Sequence, residues 1–186
     1  RSGPLASNTL EASAFLSARH LAAPGAEGGG DGRPPPGAAP YYAPSIQLLF
    51  QPMLFPFAGW GKFADFVRQL KAGTLPAAVT CHVALLRPAS RGSVTLRSAH
   101  PAAPPRIAPG YLSDADGADL ANLVAGVRSA LEILGGDASL GGEAMLPTEA
   151  EAASDDALAA YVRANACHFN GSLFGSCRAG AEDDDL

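Results

Sequence analysis

The segment from Asn165 to Gly180 holds the densest set of side chains that could do chemistry. It contains a histidine, asparagines, two cysteines, an arginine and three glycines, and it directly follows a predicted helix. Catalytic groups often lie on loops that a rigid scaffold holds in place. The residue types suggest two kinds of chemistry, which are metal binding by Cys167, His168 and Cys177 and nucleophilic attack by the Cys177 thiol.

A metal site is the weaker of these two hypotheses. Structural zinc needs about four ligands at a recognisable spacing. The side chains of the neighbours Cys167 and His168 point in different directions, and no Cys-x-x-Cys or His-x-x-x-His pair supplies the missing ligand. The acidic residues Asp114, Asp116 and Asp119 resemble a loose cation loop without the remaining EF-hand positions. Turn formation and capping of the following helix explain these acids, so we expect no metal.

A cysteine nucleophile also has a simpler alternative. Arg178 beside Cys177 would favour the thiolate, and His168 is a base nearby in sequence. However, a free cysteine is more often a small buried hydrophobic residue, and nothing in the sequence shows that Cys177 and His168 meet. The other histidines, at positions 20, 82 and 100, are isolated and are interpreted as structural or solvent-facing.

Composition limits the classes of protein to which the chain can belong. Its 186 residues, 47% apolar and 17% charged, suit one globular domain. A net charge of −5 without a basic stripe argues against nucleic-acid binding. Apolar runs such as residues 83–86 are too short to span a bilayer, and no signal peptide is visible. The three cysteines are predicted to be thiols in a reducing compartment, such as the cytoplasm or a plastid.

The polar and apolar pattern predicts an α+β fold with an antiparallel sheet. Strands are expected at Ile46–Phe55, Val79–Arg87 and Ser93–Arg97, with the last two paired across the turn at residues 88–92. A short strand or helix start is expected at Leu10–Leu16, and a proline-rich crossing follows Arg97. Residues 22–44 are a low-complexity Gly/Pro-rich loop, predicted to be a disordered insertion.

Three helices are expected to cover this sheet. The first is Lys62–Ala72, which ends at Gly73. The second is Asp119–Leu134, which ends at two glycines. The third runs from the N-cap Ser154 to about Asn165. No Gly-x-Gly-x-x-Gly follows a strand, so the chain is not expected to carry its own dinucleotide site. Arg68 lies on the first helix and either projects toward a carboxylate ligand or forms a solvated or structural ion pair.

Several motifs in order resemble the C-terminal half of the glucose-methanol-choline (GMC) family of FAD-dependent oxidoreductases. They are Gly3–Asn8 with Glu11–Leu16, Arg87–Val94, Leu96–Pro101, Pro104–Leu112 and Gly175-Ser-Cys-Arg-Ala-Gly180. The resemblance implies that residues 1–180 are a fragment of the substrate-binding domain, followed by an acidic tail at 181–186. It also implies an antiparallel sheet of about six strands, backed by helices, that closes over a flavin. FAD would then be bound mainly by a domain missing from this chain.

The family resemblance implies hydride transfer from an alcohol, a CH–OH donor, to the flavin. In relatives a histidine in His-x-x-Gly-Thr takes or orients the hydroxyl proton. Ser172 stands at that position here, and His168 could substitute for it only if the loop were rearranged. Gly175, Ser176 and Cys177 would belong to the flavin-facing loop. The fragment alone is expected to be inactive.

Two alternatives to alcohol oxidation stay open. Residues 110–120 and Phe66-Val-Arg68 resemble the algal fatty acid photodecarboxylase branch, which converts a fatty acid to an alkane in light. Arg68 and Asn170 are the predicted substrate-binding residues under either hypothesis, although Asn170 is one residue out of register with the asparagine of this branch. The apolar residues 46–57 suit an aliphatic substrate but equally suit a core strand. A truncated or inactive pseudoenzyme domain is the second alternative, favoured by Ser172 and by the acidic end.

Overall fold

A computed structural model describes residues 12–17, 44–54, 60–136, 142 and 144–167. The low-complexity loop predicted at residues 22–44 therefore lies almost entirely outside the described residues, and so does the acidic tail. The described elements follow one another along the chain as β1 (Ala12–Leu16), β2 (Ile46–Gln51), α1 (Trp60–Ala72), β3 (Thr80–Leu85), β4 (Ser93–Thr95), β5 (Arg106–Ala108), α2 (Ala118–Gly136), α3 (Glu149–Ala152) and α4 (Asp155–Asn165).

Strands β1, β2 and β3 form an antiparallel sheet with β2 in the centre. Ile46 lies opposite Leu16 and Leu85, and the next inward residue of β2, Leu48, lies opposite Ala14 and Val83. Because side chains alternate along a strand, these residues form one apolar face. The prediction of an α+β fold with an antiparallel sheet is confirmed.

Helix α2 packs on this apolar face of the sheet. Ile46, Leu48 and Ala130 form a buried cluster, and Gly126 lets the helix approach closely, since a Cβ there would lie 2.7 Å from a methyl group of Val83. A second cluster joins α2 to α4 through Val124, Leu158 and Val162. Leu123 packs against both clusters and links them.

The helix boundaries follow the local signals in the sequence. Gly73 ends α1 and has a positive φ of 65°. Its N–H donates to the Leu70 carbonyl, and the Thr74 N–H donates to the Gln69 carbonyl. This pair of bonds is the Schellman arrangement. Thr148 and Glu151 form a capping box on the short helix α3. The predicted N-cap Ser154 accepts the N–H of Ala157 at 3.1 Å and starts α4.

The predicted pairing of β3 with the strand after it is wrong. β3 pairs with β2, whereas β4 pairs with β5, placing Val94 opposite Ile107. The segment between β3 and β4 does not reverse the chain as a hairpin, because the N–H groups of Ala89 and Ser90 bind Asp119 in α2. The proline-rich crossing instead supplies β5, a strand bounded by Pro105 and Pro109.

Candidate functional site

Six of the predicted site residues lie outside the described residues. These are His168, Asn170, Ser172, Gly175, Ser176 and Cys177. Their roles stay predictions, because nothing in the described part of the chain tests them. The structure does describe helix α4, which precedes these residues, and the two residues after it up to Cys167.

Helix α4 is held against α2 at its start and along its inner side. At its start Arg128 of α2 donates from Nε to Asp155 at 2.6 Å, beside the Ser154 cap. Leu158 and Val162 bury its inner side against α2. At its end the N–H of Ala166 bonds to the Val162 carbonyl at 2.8 Å and closes the last turn of the helix. The chain therefore leaves α4 one turn after Val162, the last residue of the helix that is buried against α2.

Arg68 lies on the surface of α1. Its side chain is 75% exposed, and Nη2 contacts Oδ1 of Asp65 at 2.6 Å, one helical turn away. Exposed ion pairs of this kind contribute little to stability. A carboxylate ligand could replace Asp65 at small cost, so substrate binding by Arg68 stays a prediction.

The sheet face opposite α2 carries a polar pair that sequence reasoning missed. Gln51 and His82 are diagonal neighbours across β2 and β3, because Leu49 lies directly opposite His82. Nε2 of His82 donates to Oε1 of Gln51 at 2.5 Å. Gln51 is buried and His82 half-buried, which agrees with the structural one of the two interpretations given to His82, although its partner was not predicted. The alternation of β2 and β3 was the signal that could have placed the two side chains on one face.

Burial fixes the charge state of His82. Desolvation lowers the pKa of the imidazole to about 4, so the ring is neutral at pH 7. The same face also carries Gln47 and Thr80 beside Leu49 and Phe15. A neutral imidazole, two amides and a hydroxyl next to apolar groups are suited to binding hydroxyl-bearing molecules.

We expect His82 to make the fold sensitive to mild acid. Between its unfolded pKa of 6.5 and its folded pKa of about 4, the unfolded chain binds a proton at His82 that the folded chain does not. Stability from this group is thus complete above about pH 6.5, falls as the pH drops below 6.5, and is fully lost once the pH has fallen through the folded pKa of about 4. Melting temperatures at pH 7, 6 and 5 should fall less in His82→Gln than in the wild type. The exposed His100→Gln is the control and should keep the wild-type profile; identical profiles for all three proteins would refute the burial of His82.

Asp119 pins the segment after β3 to the start of α2. Its carboxylate is 2% exposed and accepts the N–H groups of Ala89 and Ser90 at 2.8 and 2.9 Å and the Ser90 hydroxyl at 2.5 Å. Burial by itself would raise the pKa of Asp119, but these hydrogen bonds and the charge of Arg91 outweigh it and lower the pKa. The buried carboxylate is therefore held ionised by the turn that it organises.

Two glycines bring the turn at residues 88–92 against the segment that follows β5. A Cβ at Gly92 would overlap the carbonyl oxygens of Ala108 and Pro109, and one at Gly110 would overlap that of Arg91. Gly110 also has φ 63°, a conformation that favours glycine. The Arg91 guanidinium caps the turn by donating to the carbonyls of residues 88, 89 and 90, each at 3.0 Å. The most recognisable motifs of the sequence therefore pack the turn at residues 88–92 against the segment around Gly110. This packed unit is called the joint below.

The acidic loop before α2 contributes hydrogen bonds to this joint. Asp114 accepts the Asp119 N–H at 3.2 Å and the Ser90 hydroxyl at 3.3 Å, which agrees with the turn and capping roles predicted for it. Among the described residues no group of three His, Cys, Asp or Glu side chains is placed to hold a metal ion. Cys81 is a free thiol whose pKa burial raises to about 12, so it is inert packing in the sheet.

The described residues do not fit an FAD site. A dinucleotide site places a glycine-rich turn between a parallel strand and a helix N-terminus. All strand pairs described here are antiparallel, and none of these strands leads through such a turn into a helix. None of the described helices is long and apolar enough to cross a membrane.

Comparison with known proteins identifies the family. A family profile described as GMC oxidoreductase matches residues 88–185, more than half of the chain. An uncharacterized GMC-type oxidoreductase of Mycobacterium tuberculosis is 38% identical over 85 residues, which are 46% of this chain and 14% of that protein. Glucose dehydrogenase (FAD, quinone) of Drosophila pseudoobscura pseudoobscura is 36% identical over 90 residues, 48% of this chain and 13% of that protein.

Each of these matches thus spans no more than 14% of the relative's length. The matched segment includes the joint built by the turn at residues 88–92, Gly110 and Asp119. This match over more than half of its length shows that the chain belongs to the GMC oxidoreductase family, whose members are in general FAD-dependent.

Proposed function

We propose that this chain is the substrate-binding portion of an FAD-dependent GMC oxidoreductase that acts on CH–OH donors. In the intact enzyme FAD would be bound mainly by another portion and would supply the hydride acceptor for the alcohol. The chain alone is inactive, and the substrate is a small molecule. Family membership and the FAD-linked dehydrogenase among the relatives support this proposal.

The observation that carries the proposal is the polar pair on the sheet. Helix α2 packs against one face of the sheet, and His82 and Gln51 lie on the other face, where Gln51 is buried and His82 half-buried. A neutral imidazole and an amide can each exchange hydrogen bonds with a hydroxyl group. In this proposal they orient the alcohol, and Leu49 beside them excludes water.

The segment after α4 would complete the substrate site. Ser172 stands where the resemblance implies a histidine, and its hydroxyl is no proton acceptor near neutral pH. Proton removal would then fall to His168 if the loop brings it to the substrate. Asn170 would contact the substrate, with residues 175–177 toward the flavin. The burial of Val162 near the end of α4 supports this arrangement by setting where the loop begins.

The test is alcohol-dependent dye reduction by the intact, flavin-loaded enzyme. Replacing Gln51 with leucine or His82 with phenylalanine should lower kcat/KM for the alcohol about tenfold, the effect of losing one hydrogen bond of about 1–1.5 kcal/mol. His100→Phe is the control for a histidine exposed elsewhere. FAD content, read from flavin absorbance, should not change. A kcat/KM equal to wild type in both variants would show that this sheet face is not part of the substrate site.

Light-driven decarboxylation of a fatty acid is the second candidate function. The exposed guanidinium of Arg68 favours it, because its present partner Asp65 is itself a carboxylate held at 2.6 Å. A fatty acid carboxylate could take that place with the same geometry. Alkane formation on illumination, together with no alcohol-dependent dye reduction, would establish this function instead. Dye reduction without alkane would exclude it.

A further inference from the structure

The hydrogen bond between His82 and Gln51 fixes the orientation of the Gln51 amide. A carbonyl oxygen can only accept, so the bond to Oε1 takes the Nε2 proton of His82 and leaves the Gln51 NH₂ group on the far side of the amide carbon. This NH₂ group carries two N–H donors. Neither of them has an acceptor among the residues that the structure describes. Gln51 is therefore a hydrogen-bond donor toward the rest of its sheet face.

The NH₂ group of Gln51 is confined but not sealed. The residue is 7% exposed. In the described ranges, the polar side-chain atom that is both closed off from solvent and without a hydrogen-bond partner is Oγ of Ser45. The Gln51 nitrogen also lacks an acceptor but is not closed off, so it keeps contact with solvent. Because leaving a desolvated N–H unpaired costs free energy, a ligand that displaces this solvent must supply an acceptor in its place.

The polar neighbours of Gln51 have already committed protons. Thr80 lies directly opposite Gln51 in β3 and donates its hydroxyl to the Met53 carbonyl at 2.7 Å. His82 donates its Nε2 proton to Gln51 itself. Gln47, the other amide on this face, lies four residues earlier in β2, about 13 Å away along the strand. A small ligand at the His82–Gln51 pair thus meets the two N–H groups of Gln51 and does not reach Gln47.

We propose that Gln51 determines the specificity of the substrate site by selecting alcohols that carry a second acceptor oxygen close to the carbinol. The inference rests on the proposed function and names its substrate class. One N–H of Gln51 donates to the hydroxyl oxygen, and the other donates to an ether, carbonyl or second hydroxyl oxygen of the same molecule. An alcohol with only carbon at that place leaves the second N–H unpaired. His82 is a positioning residue, because it acts by holding the amide in this orientation.

The first experiment compares two alcohols of equal length in the intact, flavin-loaded enzyme. Ethylene glycol monomethyl ether differs from n-butanol by one ether oxygen in place of a CH₂ group. Its kcat/KM in dye reduction should be about tenfold higher, the effect of one added hydrogen bond. Gln51→Glu keeps an oxygen that accepts from His82 but loses the NH₂ donors, so it should abolish the preference. Gln47→Leu, on the same face and strand, is the matched control and should keep the wild-type preference whatever its rate.

The positioning role of His82 has its own readout in the same ratio. An amide N–H can replace the imidazole N–H as the donor to Gln51, so His82→Gln should retain the preference for the ether. His82→Leu has no donor and should lose it, because the Gln51 amide is then free to turn. A purely structural role would lower the rates with both alcohols equally and leave their ratio unchanged. That result would remove His82 from the proposal.

Tertiary alcohols separate binding from oxidation, because their carbinol carbon has no hydrogen to transfer. Calorimetry on the intact enzyme should show that 1-methoxy-2-methyl-2-propanol binds about tenfold tighter than its carbon analogue 2-methyl-2-pentanol. Equal affinity of the wild type for the two compounds, or the same preference in Gln51→Glu, would overturn the proposal. Dye reduction without any preference would leave the proposed function standing and refute the role of Gln51. Preferential binding of the ether without dye reduction by any primary alcohol would refute the function and leave that role standing.

Discussion

Asp119→Asn is expected to lower the free energy of unfolding by about 3 kcal/mol. The carboxylate receives three hydrogen bonds in a site that is almost closed to water. An asparagine has one acceptor oxygen, and its amide NH₂ would face N–H donors of Ala89 or Ser90. The expected loss of folding free energy comes from leaving buried N–H donors without an acceptor.

Urea unfolding at pH 7 measures this effect, and Asp116→Asn is the control. Asp116 lies exposed in the loop just before α2, so its substitution should change the unfolding midpoint little. Because the folded pKa of Asp119 lies below the ordinary 3.8, its contribution is present above about pH 4 and is lost as the pH falls through the folded pKa. The deficit of Asp119→Asn should therefore shrink in strong acid. Equal midpoints for the two variants at pH 7 would show that the turn does not depend on the carboxylate.

Gly110→Ala should be at least as damaging, at about 3 kcal/mol or more. The new Cβ would overlap the Arg91 carbonyl oxygen and approach its carbonyl carbon at 2.9 Å. Both atoms belong to backbone that Asp119 and the Arg91 guanidinium hold in place, so relief requires moving the joint. The positive φ of 63° adds a cost of about 1 kcal/mol for any side chain.

Gly135→Ala provides the matched comparison. Gly135 lies in the last turn of α2, where a Cβ meets nothing within 4 Å. That substitution should be neutral or slightly stabilising, since alanine is a better helix former than glycine. Thermal melts of both variants measure the contrast. A Gly110→Ala protein that melts with the wild type would contradict the close approach of the two backbone segments.

Elements with strong local signals could be predicted from the sequence. The helices at residues 60–72, 118–136 and 155–165 match the apolar spacing, and Ser154 and Gly73 mark boundaries where capping chemistry requires them. The strand partners could not be predicted in the same way. The pairing of β3 with β2 joins residues that are on average about 34 positions apart in the sequence. In addition, Asp119, some 30 residues after the turn, accepts a backbone N–H group of that turn.

The candidate site was predictable only in part. The family motifs pointed to residues 168–177, which lie outside the described residues and whose roles therefore stay predictions. The same motifs also included Arg91, Gly92 and Gly110, which the structure shows to be architectural. The His82–Gln51 pair escaped detection because it depends on the register of two strands that are separated by a helix.

The position of Leu123 has a consequence for how the molecule melts. This one side chain contacts both the cluster under the sheet and the cluster under α4. The sheet that would contact substrate and the helix that delivers the C-terminal loop are therefore thermodynamically coupled. Opening either one exposes part of the other's apolar surface, so amide exchange in β2 and α4 would report a single unfolding unit rather than two independent ones.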